Sequence, residues 1–216
     1  VSAHARVVLW RHGRTAWNLE GRFQGTTDIA LDEVGIAQAE RAARDLATLQ
    51  PDVVVSSPLG RALATAEVLA VLVGTKVLVD DDLRETFAGT WQGLTRAEIN
   101  AIDPKTFASW IGGEDVRPGG GESRSEVAER VAAAVERHAA LLRPGGTLVV
   151  VTHGGATRAG IGKILDLPVD HWASLGGLVN CAWSVLERME PGVGRRWRLT
   201  EHNARSLPED VVGDEA

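Results

Sequence analysis

The chain has 216 residues, 44% of them hydrophobic and 24% charged, with 29 acidic against 23 basic residues and a net charge of −6. This composition suits one globular domain large enough to need no disulfide or metal staple, and it excludes a disordered chain, a collagenous repeat and a disulfide scaffold. No Lys/Arg run exceeds two residues, so no nucleic-acid partner is expected.

Arg6 to Trp10 reads as a short apolar strand that runs directly into Arg11, His12 and Gly13. After a Gly/Thr-rich loop, Asp32 is placed to cap an Ala/Arg-rich helix reaching about Leu49. Val53–Ser56, between Pro51 and Pro58, is a β-branched run of the kind buried on both faces of a parallel sheet. A second Ala/Leu helix is predicted over Leu59–Val73 and a third strand over Lys76–Val79. From Glu85 to Gly121 the pattern breaks into short pieces, with short helices at Leu94–Ala101 and Pro104–Trp110. Glu122–Leu142 reads as a long amphipathic helix ended by Pro144, Gly145 and Gly146, followed by a fourth strand, Thr147–Thr152, and a helix over Gly155–Leu165. Leu178–Glu187 and Arg196–His202 read as two strands around a Pro-Gly turn at 191–194, and the polar, acidic tail from about 204 is expected to be loosely held. The alternation of strand and helix to residue 166 predicts an α/β fold: a mostly parallel central sheet with helices on both faces, a short helical insertion at about 86–121 and antiparallel C-terminal edge strands. No repeat or linker divides the chain, so a single domain over 1–216 is expected.

The single cysteine, Cys181, lies in an apolar run and reads as a core residue. The N-terminal segment shows no apolar signal-peptide region and the apolar run at 62–73 is too short to span a bilayer, so a cytoplasmic protein with no membrane partner is expected.

In open α/β sheets, ligands bind beyond the carboxyl ends of the strands. The residues that follow the four predicted parallel strands are Arg11, His12, Gly13 and Arg14; Ser57 and Arg61; Arg84 and Glu85; and His153, Gly154 and Gly155. Three readings of this rim are open. Two His and a carboxylate can hold a metal, although guanidiniums repel a dication. The same residues suit phosphoryl transfer: Arg11 and Arg61 grip phosphate oxygens, one imidazole attacks phosphorus, the other offsets equatorial charge, and Glu85 moves the leaving-group proton. The third reading is structural, each residue merely capping a strand or pairing with a surface acid.

The segments VVLWRHGRTAWNLEGRFQGTTDIALDEVG, SSPLGRALATAE, LRETFAGTWQGLT, GGGES (119–123) and VTHGG occur in the order that resembles the histidine phosphatase superfamily, the phosphoglycerate-mutase-like proteins, over about Arg6–Asn203. This resemblance implies His12 as the nucleophile that becomes phosphohistidine, Arg11, Arg61 and His153 as the other members of the phosphate pocket, and Glu85 as proton donor and later base. It further implies that Asn18, Gln24, Gly25 and Gly154 contribute side-chain amides or backbone N–H groups to the phosphoryl oxygens, with a turn-stabilising role as the alternative for Asn18 and Gln24. Arg14 stands where many relatives carry Glu or Gln, which leaves its role open. The implied mechanism needs no metal or other cofactor.

The stretch 86–118 lacks the adjacent Arg pair of the cofactor-dependent mutases and carries Trp91, Phe107 and Trp110, which favours a phosphatase. The three aromatics either contact the substrate or pack the insertion. The runs LRETFAGTWQGLTRAEI, GGESRSEVAER, LPVDHWASLGGLVNCAWSVL and WRLTEHNA are similar to an actinobacterial subgroup that acts on glucosyl-3-phosphoglycerate. The expected substrate is therefore that small phosphomonoester. The alternatives are a broad-specificity sugar-phosphate or α-ribazole-phosphate-type phosphatase, then a phosphoglycerate mutase or a non-catalytic phosphate-binding module. Homodimerisation, common in the subgroup, is the expected assembly, with the strands carrying Trp183 and Trp197 either completing the sheet or pairing with another subunit.

Overall fold

The computed structural model describes residues 4–190 and 196–206. Strands β1 (Arg6–Arg11), β2 (Val53–Ser56), β3 (Val77–Val79), β4 (Thr147–Thr152), β5 (Trp183–Arg188) and β6 (Trp197–Ala204) form one sheet in the order β3-β2-β4-β1-β5-β6. The first four in that order are parallel, whereas β5 runs antiparallel to β1 and β6 antiparallel to β5. The fold is thus the expected α/β sheet, and the two C-terminal strands complete its edge.

Helices α2 (Glu33–Ala47) and α3 (Gly60–Val73) cover one face, and α6 (Arg124–Ala139) and α7 (Gly154–Ile164) the other. Alternating residues serve the two layers. Val7, Leu9, Leu148 and Val150 meet Val131, Val135 and Ile161, while Val8, Trp10, Val149 and Val151 meet Ala39, Leu46 and Leu69. Burial on both faces is why β1 and β4 are continuous apolar runs. Asp32 caps α2, its Oδ1 accepting from Gly35 N at 2.7 Å, and Ser123 with Glu126 forms a capping box on α6.

Several local expectations change. The segment 178–182 is not the start of β5 but a turn, with Cys181 at φ 58. Its burial comes from capping the end of β1: Cys181 N donates to His12 O (3.2 Å), and Trp10 Nε1 donates to Cys181 O (3.1 Å). A short helix, α1 (Ala16–Leu19), lies in the loop after β1. Ala204 belongs to β6, pairing with Trp183, and Ser206 Oγ donates to Asp45 (2.5 Å). The tail beyond Ser206 and the turn at 191–194 lie outside the described residues.

The insertion contains α4 (Arg96–Ile102) and α5 (Pro104–Ile111), close to the expected helices. They close around buried Ala88, Trp91, Ile99 and Phe107. Trp91 stands edge-on to Phe23 (5.8 Å, 88°) and Phe107 (5.8 Å, 71°). Trp91 and Phe107 therefore fill the core of the insertion, and Trp110 both packs against them, its ring stacked 6.3 Å from Phe107, and lines the cavity. Among the described residues, no helix is long and apolar enough to cross a membrane.

Candidate active site

Strand register brings the two histidines together. β1 and β4 pair in parallel with Arg11 opposite Thr152, so His12 and His153 leave the sheet side by side, and His12 N donates to Thr152 O at 3.1 Å. Their ring centroids are 5.1 Å apart, tilted by 59°, and both side chains are buried. His12 Nδ1 lies 2.7 Å from the carbonyl of Gly13. A carbonyl only accepts, so Nδ1 carries the proton and Nε2 keeps the free lone pair. His153 Nε2 lies 2.8 Å from Ser57 Oγ, and its Nδ1 is buried without a protein partner. Ser57 follows β2 and is positioned by its N–H, which donates to Val151 O.

The loop carrying His12 is clamped tightly. A Cβ on Gly13 would lie 2.4 Å from Gly35 O, so only glycine allows the loop to approach the start of α2. Gly13 N donates to Thr65 Oγ1 (3.1 Å), whose hydroxyl donates to Arg61 O (2.8 Å).

Two guanidiniums flank the imidazoles. Arg61, on the first turn of α3, is 0% exposed and donates to the carbonyls of Gly25 and Thr27, each at 2.7 Å. Arg11 donates to Leu178 O at 2.5 Å. The Nε of each is buried and has no partner among the described residues. Burial lowers the pKa of both, Arg61 to about 10. Cations held in a buried site by neutral carbonyls make an anion site. Burial first, then Arg11 and Arg61, pushes His12 well below the usual histidine range, and burial, Arg61 and His12 do the same to His153. Both imidazoles are therefore neutral, as a nucleophile requires. The Cys181 thiol is pushed up to about 12 by burial and is inert.

Glu85 sits at the N-terminus of α7. Its carboxyl oxygens accept from Thr86 N, Gly155 N and Ala156 N, each at 2.9 Å, the last two being N–H groups that the helix itself leaves free. Arg130 of α6 holds this loop by donating to the carbonyls of Asp82 (2.7 Å), Arg84 (2.6 Å) and Glu85 (3.1 Å) and to both oxygens of Glu122. Glu122 and its partner Arg130 both lie in the run GGESRSEVAER read from the sequence, but nothing local to that run shows that the two pair.

Arg11, His12, Asn18, Gln24, Gly25, Arg61, Glu85 and Gly154 line one cavity of about 360 Å³, with His153 buried beneath it. Asn18 stabilises the turn and also lines the cavity. Its Oδ1 accepts from Thr15 N (3.1 Å) in the capping box of α1, while the residue faces the cavity. Gln24 Oε1 accepts from Thr15 Oγ1 (3.0 Å), which leaves its NH₂ as a donor. Arg14 turns away to pair with Asp32 (2.8 Å). Asn180, which lies in the run LPVDHWASLGGLVNCAWSVL without a predicted role, donates to His12 O (3.2 Å) and Asn18 Oδ1 (3.1 Å) and ties the turn at 178–182 to the loop carrying His12. Among the described residues no group of three or more His, Cys, Asp or Glu is arranged to hold a metal ion.

Residues 7–204 match the histidine phosphatase superfamily (branch 1). A glucosyl-3-phosphoglycerate phosphatase of Mycobacterium tuberculosis is 40% identical over 219 residues, covering 96% of this chain and 98% of the relative. A metal-independent phosphoserine phosphatase of Arabidopsis thaliana is 36% identical over 184 residues, covering 83% of this chain and 75% of the relative. The solved structure of a mycobacterial glucosyl-3-phosphoglycerate phosphatase with VO3 superposes with a TM-score of 0.85 at 42% identity, over 92% of this chain and 98% of that one. The chain is a phosphatase and belongs to the histidine phosphatase superfamily, branch 1.

Proposed function

We propose that this phosphatase hydrolyses glucosyl-3-phosphoglycerate through a phosphohistidine on His12, with no metal or other cofactor. The observation that carries the reading is the pair of neutral, buried imidazoles 5.1 Å apart, flanked by two guanidiniums that neutral carbonyls hold in place. Arg11 and Arg61 bind the phosphoryl oxygens, joined by donors from Asn18, Gln24, Gly25 and Gly154. His12 Nε2 attacks phosphorus, and the P–O ester bond breaks as Glu85 gives its proton to the departing oxygen. His153 stabilises charge on the equatorial oxygens. Glu85, now a carboxylate, takes a proton from water as the water oxygen attacks the phosphohistidine, which releases phosphate and restores His12.

The substrate assignment is supported by likeness to relatives of that activity over nearly the whole chain and by a cavity that continues past the phosphate pocket to Phe23 and Trp110. In this reading one domain carries the reaction, with the insertion at 86–121 covering the pocket. A small metabolite as substrate supports a cytoplasmic location. The exposed apolar edge formed by Leu78 and Val79 with Val71 and Leu72 supports a homodimer.

Phosphate release from glucosyl-3-phosphoglycerate, mannosyl-3-phosphoglycerate, 3-phosphoglycerate, phosphoserine, sugar monophosphates and p-nitrophenyl phosphate tests the proposal, with EDTA and His12→Ala as controls. The expected result is the highest kcat/KM for the glucosyl compound, no loss with EDTA and no turnover by His12→Ala. Equal rates across the panel overturn the substrate, and an active His12→Ala overturns the intermediate.

A further inference from the structure

One cation in the cavity wall has no part in the chemistry above. Arg158 lies on α7 four residues beyond Gly154, so the two share a helix face. Position 154 backs onto Arg11, a Cβ there falling 3.5 Å from Arg11 Nε, and the N–H groups of residues 155 and 156 hold Glu85. The backbone of Arg158 is thus within about one helical turn, roughly 5 Å, of the groups that hold the proton donor. Glu85 must reach the ester oxygen, so this is the side on which the leaving group lies.

Among the described residues the guanidinium has no ion-pair partner in contact. Its Nε is buried without a partner. Among the described residues the only acid acting on it is Glu85, which three backbone N–H groups already engage. Holding a partly buried guanidinium without a counter-ion is unfavourable, yet the surroundings keep it there. Gly177 leaves room for it, since a Cβ at that position would lie 2.8 Å from Arg158 Nη2. Arg124 borders the same adjoining recess of about 100 Å³ and adds a second positive charge. It is fixed by donation to the carbonyls of Trp110 (2.5 Å) and Glu114 (2.7 Å) and by stacking over Trp110 at 5.2 Å.

We propose that Arg158 binds a carboxylate on the leaving group, three bonds from the ester oxygen, and so selects phosphomonoesters of hydroxy acids. The inference rests on the reading of Glu85 as proton donor. A guanidinium suits this task because its planar fork matches a carboxylate with two parallel hydrogen bonds. Nothing in it depends on the glucosyl group.

The test compares kcat/KM for 3-phosphoglycerate with that for glycerol 3-phosphate, which has CH2OH in place of the carboxylate, in the wild type, Arg158→Ala and Arg158→Lys. The wild type should favour 3-phosphoglycerate at least tenfold. Arg158→Ala should reduce that ratio at least tenfold, mainly through KM, and Arg158→Lys should restore part of it. A ratio unchanged in Arg158→Ala, an equal fall for both substrates, or a wild type without carboxylate preference overturns the proposal. If Arg158→Ala fails to fold, Arg158→Met keeps the aliphatic stem and carries the same comparison. Glucosyl-3-phosphoglycerate in the same assay separates the two proposals. A collapsed carboxylate preference in Arg158→Ala upholds Arg158 even if the wild type shows no preference for the glucosyl compound, and the converse result removes Arg158 while leaving that substrate in place.

Discussion

Gly155→Ala should separate activity from stability. The added Cβ would lie 2.7 Å from Glu85 Oε1 and 3.3 Å from both Glu85 Cδ and Thr86 Oγ1. The first distance is inside van der Waals contact, and the atom that must yield is the end of a flexible side chain. The carboxylate therefore leaves its seat on the N–H groups of Thr86 and Ala156, which Oε1 now accepts. Alanine in the first turn of α7 gains up to ~1 kcal/mol of helix propensity over glycine, and each displaced hydrogen bond costs about 1 kcal/mol. Net stability should stay within ~1 kcal/mol of wild type, a Tm shift of at most about 4 °C for a chain this size. Activity has no such compensation, because a misplaced proton donor costs roughly 10²-fold. The assay is kcat/KM, which reports formation of the phosphoenzyme, for 3-phosphoglycerate and for p-nitrophenyl phosphate, whose leaving group needs no proton. A fall of about 10²-fold for the first and under tenfold for the second is expected, with Glu85→Gln showing the same split. Equal losses for both substrates, or a 3-phosphoglycerate value near wild type, would show that this seat does not position Glu85 as proton donor.

The buried histidines predict acid sensitivity. Both have folded-state pKa values below the unfolded value near 6.5, so the unfolded chain binds more protons and stability falls as pH drops from 6.5 toward the folded pKa values. Between pH 7.5 and 5.5 each should withdraw up to about 1.4 kcal/mol. Urea unfolding at the two pH values measures this, and His12→Asn should lose less stability on acidification than wild type; an equal loss would contradict the assignment. Arg130→Met leaves three loop carbonyls and Glu122 without their donor. It should lower stability by about 3 kcal/mol and slow 3-phosphoglycerate more than p-nitrophenyl phosphate. An unchanged urea midpoint would show that the network does not hold the Glu85 loop.

Local chemistry along the chain was enough to place the parallel strands and the helices between them. Apolar runs such as Leu148–Val151 and caps such as Asp32 and Ser123 act through neighbours a few residues away. The charged residues at the strand ends were legible for a related reason, since a run of buried β-branched residues followed at once by Arg and His marks the carboxyl edge of a sheet. Other features depended on partners remote in sequence. The segment 178–182 reads as strand, yet it is buried by capping β1 because Trp10 and His12 supply its hydrogen-bond partners. Trp91, Phe107 and Trp110 are all bulky aromatics, and only the packing of the insertion shows that the first two fill its core while Trp110 packs against them and also lines the cavity. The contributions of Arg130, Asn180 and Arg158 likewise required the fold. A guanidinium or an amide takes its role from the carbonyl, carboxylate or open cavity its tip reaches, and long-range contacts alone set where that tip lies.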